Sequence, residues 1–148
     1  MTYDEPMTEQ APPASALGHA LARVGDRWTL LVVEALLGAP GRFNELLEQI
    51  PGIAPNILSE RLKRLERDGL LVSRPYTDRP PRFTYELTGE GRELAGALGL
   101  LAQWAARHTP SAEPPRHVAC GTPVEIRWYC PTCDHHVDEQ PEADVQFL

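Results

Sequence analysis

The apolar residues of this chain keep helical spacing as far as Leu65, alternate like a strand between Leu71 and Leu87, and return to helical spacing after Thr88. A domain whose period changes twice has to pack helices against a small sheet, which excludes both a pure helical bundle and a pure sandwich. Glycine and proline mark the joints. Ser15 is placed to cap a first helix over 15–24, with Leu17 and Leu21 four apart. Gly25-Asp26 breaks it, and Asp26 caps a second helix over 27–37 that is apolar almost all round, the pattern of a buried central helix. Gly38-Ala39-Pro40-Gly41 ends that helix, and a short third over 43–50 places Leu46, Leu47 and Ile50 on one face.

After Pro51-Gly52, a fourth helix begins with Pro55 at its first position, where a missing N–H costs nothing. Leu58, Leu62 and Leu65 form its apolar stripe, and Gly69 suits its C-terminal cap. Residues 71–76 and 83–87 then read as a hairpin whose tip, 77–82, is too wide for a two-residue turn. Thr88 caps a long fifth helix to about His108, with Glu90 and Glu93 near its positive end. This order predicts a mainly α, α+β fold: a winged helix-turn-helix with a two-stranded wing and a long C-terminal helix. The expected divisions are an arm over 1–14, the winged-helix domain over 15–108, a linker over 109–116 and a Cys/His tail over 117–148.

Composition fits one domain with a short appendage. The chain has 148 residues, of which 42% are hydrophobic and 24% charged, enough for a packed core. Its apolar runs, such as Leu30 to Val33, fall far short of a membrane span. The first fifteen residues hold Asp4, Glu5 and Glu9 without a base, so the expectation is a leaderless cytoplasmic protein with reduced thiols and no membrane partner. The net charge of −7 is unevenly placed: residues 55–83 carry seven bases and four acids, a net of +3, whereas 109–148 carry seven acids and two bases. Regional charge matters more than the total when the partner is nucleic acid.

Burying the Leu58/Leu62/Leu65 stripe turns Asn56, Glu60, Lys63 and Arg67 outward, flanked by Ser59 and Arg64. Amide, hydroxyl and cationic groups are what base edges and phosphates accept. Asn56, Ser59, Glu60 and Lys63, nearer the N-terminus, are candidates for base edges in double-stranded DNA; Arg64 and Arg67 are candidates for phosphate. Glu60 fits only where it accepts from a cytosine amine. Arg79 and Arg82, beside Pro80-Pro81, suit a wing laid along the backbone or in a minor groove. On the last helix, Leu94, Leu98, Leu101 and Ala105 form one stripe and Ala97, Leu100 and Trp104 another, so one face can cover its own domain and the other a partner. Trp28 and Trp104 read as core or interface residues.

These residues resemble the HxlR-type winged-helix regulators of the MarR-like superfamily. The likeness lies in Val24-Gly25-Asp26-Arg27-Trp28-Thr29-Leu30-Leu31, Arg42-Phe43-Asn44-Glu45-Leu46, the run from Gly52 to Leu62, Gly69-Leu70-Leu71 and the run from Pro80 to Thr88, covering about 15–108. The resemblance implies a sequence-specific transcriptional regulator, a repressor acting as a homodimer on a pseudo-palindromic operator, with the fourth helix as recognition helix and terminal helices as the dimer contact. Members of the family often carry a Cys-Pro pair at the start of the first helix, and some sense oxidants there. Here Ser15-Ala16 stands in that place, which removes that chemistry. A capping Ser of the recognition helix is replaced by Ala54, which forgoes about 1 kcal/mol.

In the tail, His117-x-x-Cys120 and Cys130-Pro131-x-Cys133 form two pairs separated by nine residues. Such a set suits a structural tetrahedral Zn²⁺ in a ribbon-like tail, with His135 or His136 as alternatives to His117 and a short hairpin expected across 124–129. A redox-active Cys130–Cys133 pair and a tail with no chemistry are the other readings. No G-x-S-x-G, P-loop or dinucleotide fingerprint is present, so an enzyme is not expected. Two further functional readings stay open: a winged-helix module that docks protein, and a thiol- or metal-responsive switch. The effector of such a regulator is not legible.

Overall fold

The computed structural model describes residues 15–137, so the arm expected over 1–14 and the end of the tail lie outside the described residues. Two helices open the fold, α1 (Ala16–Val24) and α2 (Arg27–Gly38). Both begin as their caps predict. Ser15 accepts from the Gly18 N–H at 3.0 Å, and Asp26 accepts from the Thr29 N–H at 3.0 Å. Strand β1 (Gly41–Arg42), α3 (Phe43–Gln49) and α4 (Pro55–Arg67) follow. Then come β2 (Leu71–Asp78), β3 (Pro81–Leu87), α5 (Gly89–Arg92) and α6 (Ala95–His108), and in the tail β4 (Trp128–Cys130) and β5 (His135–Val137).

The core forms where the apolar faces of α2, α3 and α4 converge on the sheet. Val32, Val33 and Leu36 of α2 are buried with Leu46, Leu58, Leu62, Leu65, Leu71 and Leu87. Each such side chain stabilises the fold by about 1.5–3 kcal/mol relative to exposure. The stripe read on the fourth helix is therefore its buried side, and this fixes which side of α4 faces solvent. Gly69 takes φ +75 after the last turn, the left-handed conformation expected of a C-terminal cap glycine.

Four sequence expectations change. The wing is part of a three-stranded antiparallel sheet in the order β1-β3-β2, because Gly41 and Arg42 pair with Tyr85 and Thr84. Two residues are too short to show a strand period, so the sequence marks there only the end of the second helix. The hairpin tip is narrower than expected. Pairing continues to Asp78 and Pro81, leaving Arg79-Pro80, with an irregularity between Pro75 and Thr77 and a Thr77 Oγ1 bond to the Pro80 carbonyl at 2.7 Å.

The long fifth helix is broken into α5 and α6. At the joint the Leu94 N–H bonds the Gly91 carbonyl, three residues back instead of four. Gly91 lies against the chain end of α4: a Cβ there would be 2.1 Å from the Leu70 carbonyl oxygen, so only glycine permits this approach. Finally, the tail hairpin turns at 131–134, with Asp134 at φ 53, instead of within 124–129. Part of that segment is held to α6 instead of to itself.

Candidate nucleic-acid interface

Helix α4 is positioned from behind by a charged cluster at the start of α2. Arg61 Nε donates to Asp26 Oδ1 at 2.8 Å, and Thr29 Oγ1 donates to Asp26 Oδ2 at 2.5 Å. Burial alone would raise the Asp26 carboxyl, but the hydrogen bonds from Thr29 and Arg61 outweigh it and hold its pKa at about 2. The same Asp26 that caps α2 therefore anchors α4 as an ion.

Arg64 belongs to this cluster too. Its Nη2 donates to the Ala22 carbonyl at 2.8 Å, and its Nη1 lies 3.8 Å from Asp26 Oδ2. Of the eight residues expected to face DNA, Arg64 is thus directed back to the α1–α2 junction. The opposite side of α4 presents Asn56, Lys63 and Arg67 to solvent, with Ser59 half-buried beside them. Glu60 is exposed on the same side and lies 3.3 Å from Arg61 Nη1, so its charge is partly matched within the protein. Arg67 lies 3.5 Å from Asp68 while remaining largely exposed.

The wing carries Arg79 at its tip and Arg82 on β3, both exposed. Among the described residues, neither these two nor Lys63 makes an ion pair. Arg74, lower on β2, is matched by Glu86 at 3.8 Å. At the base of the wing, the Arg42 guanidinium stacks over the Tyr76 ring at 4.5 Å. Arg42 was not singled out from sequence, because only its pairing with β3 brings it beside the wing. Exposed hydrogen-bonding and cationic groups are thus carried by α4, by the wing and by Arg42 at the base of the wing.

A second surface is apolar. Leu17 and Leu21 of α1 are 67% and 52% exposed, and Leu101 and Trp104 of α6 are 56% and 59% exposed. Leu94 and Leu98 pack on the core, so the stripe expected to run from Leu94 to Ala105 leaves the domain after Leu98.

In the tail, His117 Nδ1 lies 3.3 Å from Cys120 Sγ. Hydrogen bonds from Thr122 and then His117 bring the Cys120 thiol down to about 7. Cys130 ends β4 and Cys133 lies within the turn that leads to β5. Each pair is a local turn of its own. Among the described residues, no three or more His, Cys, Asp or Glu side chains come together in a way that would hold a metal ion, so as placed the two pairs do not fit a four-ligand zinc. His135 and His136 lie on β5, with the His136 ring against Tyr129 at 5.6 Å between centroids.

Residues 23–113 match the model of the HxlR-like helix-turn-helix family. A Mycobacterium tuberculosis protein named as an uncharacterized HTH-type transcriptional regulator is 36% identical over 126 residues, covering 82% of this chain and 79% of its own. The Escherichia coli protein YtfH, named as an uncharacterized HTH-type transcriptional regulator, is 33% identical over 102 residues, covering 69% of this chain and 78% of its own. Among solved structures, a candidate transcription factor from Pseudomonas aeruginosa superposes with TM-score 0.64 at 29% identity, covering 88% of both chains. The reduced form of the transcriptional regulator YodB from Bacillus subtilis superposes with TM-score 0.53 at 30% identity, covering 64% of this chain and 93% of its own.

Proposed function

The chain belongs to the HxlR-like helix-turn-helix family of DNA-binding transcriptional regulators, and on that premise we propose that α4 and the wing are its DNA-reading surface, duplicated in a homodimer. It is a regulator and not an enzyme. The observation that carries the assignment of α4 is the division of its two sides: Leu58, Leu62 and Leu65 are sealed in the core, which leaves Asn56, Ser59, Glu60 and Lys63 directed away from it. In this reading the four enter the major groove, where Asn pairs with adenine, Lys with guanine and Glu with cytosine. Arg67, Arg79, Arg82 and Arg42 take phosphate or minor-groove positions. Arg64 is left out because its donors are engaged at Ala22 and Asp26.

The exposed leucines of α1 with Leu101 and Trp104 of α6 form the proposed dimer face, since large apolar side chains left in water on two terminal helices gain by being covered. A two-fold dimer would set its recognition helices about one DNA turn apart, roughly 34–36 Å, and so read a pseudo-palindrome. Occupying such a site at a promoter excludes polymerase, which makes repression the proposed outcome. Retention of fragments of the host genome by the purified chain tests the reading. Salt-sensitive retention of a selected set is expected, and equal retention of all duplexes, or none, overturns it. Zinc in the tail is a proposal from residue types and spacing alone, because it requires the His117–Cys120 and Cys130–Cys133 turns to close on each other. About one zinc per purified chain, lost on chelation, supports that closure, and its absence from metal analysis overturns it.

A further inference from the structure

Helix α6 carries the tail on a side of its own. Two contacts pin it there. Gln103 Nε2 donates to the Val124 carbonyl at 2.8 Å. Ile126 Cδ1 fills the notch at Gly99, 2.7 Å from where a Cβ would stand. At 100° per residue, Gly99, Gln103 and Ala106 cluster on one side of the helix, roughly opposite Leu101 and Trp104. The tail contact is therefore separate from the apolar face assigned to the dimer.

Between α6 and the tail lies a cleft of about 750 Å³, within the range of roughly 300–1,000 Å³ typical of small-molecule sites. Leu100 and Ala106 line it from α6; Val124, Ile126 and Trp128 line it from the tail. Among the described residues, its charged lining is Arg107, Arg127 and Glu125, with His136 beside them. Glu125 already accepts from Arg127 Nη2 at 2.6 Å, whereas Arg107 makes no ion pair among the described residues. A cation placed in this cleft would meet Arg107, while the carboxylate of Glu125 is already engaged by Arg127. An anion would meet an arginine whose planar donors suit a carboxylate or sulfonate.

We propose that this cleft binds a small organic anion, its apolar or aromatic body held between α6 and the tail and its acidic group at Arg107. The inference stands apart from the DNA reading. The probe is 1-anilinonaphthalene-8-sulfonate, titrated by fluorescence into the full-length protein and competed with 2-naphthoate or the neutral 2-naphthamide. One saturable site per chain is expected, displaced at least tenfold more readily by naphthoate than by naphthamide. Arg107→Ala and Ala106→Phe should each weaken binding at least tenfold, by removing the cation and by filling the cleft. Thermal melting and DNA retention in the same preparations report whether each variant is folded. Because Arg107 is exposed, Arg107→Ala keeps the test open should Ala106→Phe not fold. Unsaturable binding, equal displacement by the two competitors, or unchanged affinity in the folded variants overturns the proposal.

Discussion

Asp26 joins two helices through one carboxylate: it caps α2 and receives Arg61 and, more distantly, Arg64 from α4. Its pKa is lowered on folding from 3.8 to about 2, so its contribution to stability is fully present above the unfolded value and is lost as pH falls through the folded one. The difference corresponds to about 2 kcal/mol at neutral pH, reduced somewhat by the partial exposure of the site. Asp26→Asn should therefore lower the unfolding free energy by about 1–2 kcal/mol at pH 7 in urea melts, and the gap to the native protein should narrow between about pH 4 and pH 2. A gap independent of pH would mean that the carboxylate is not the anchor. At the reading surface, Arg79→Ala or Arg82→Ala should weaken binding to all duplexes alike and reduce the salt slope by about one. Asn56→Ala or Lys63→Ala should instead relax base preference at one position, by about 1–3 kcal/mol. Binding isotherms on a matched and a scrambled duplex at two salt concentrations distinguish these outcomes.

At the scale of elements, the joint between α5 and α6 decides how the terminal helix leaves the domain. Thr88 secures its start, accepting from Gly91 N–H at 3.2 Å while donating through Oγ1 to the Gly69 carbonyl at 2.7 Å. Gly91 can approach Leu70 only because it has no Cβ. Gly91→Ala should cost about 1–3 kcal/mol in denaturant melts, since backbone, not a flexible side chain, would have to move. A neutral result would show that the helix start can shift freely. The cap Thr88 and the acids Glu90 and Glu93 were legible in the sequence, but the break after Arg92 was not. It lies beside the close approach of Gly91 to Leu70, two residues that only the folded chain brings together.

For the whole molecule, the question is what covers Leu17, Leu21, Leu101 and Trp104. If these side chains form the dimer face, Leu101→Asp with Trp104→Asp should convert the dimer to monomer in sedimentation velocity and abolish cooperative binding to a two-half-site duplex. The wing and α4 should remain folded, because neither residue belongs to the buried core. A dimer that survives this pair of charges would place the interface elsewhere.

Local chemistry determined much of this protein by itself. The caps Ser15, Asp26 and Thr88, the Pro55 start of α4 and the Leu58/Leu62/Leu65 stripe each act within one or two helical turns, so they can be read along the chain. The exposed side of α4 follows from that stripe. Tertiary structure decided what depends on distant partners: Arg64 turning to Ala22, Arg42 meeting Tyr76, the addition of β1 to the sheet, and the tail lying against Gly99 and Gln103. The physical reason is the same in each case: a long cationic side chain, a two-residue strand or a glycine notch takes its role from whatever packs beside it, and periodicity carries no record of that neighbour.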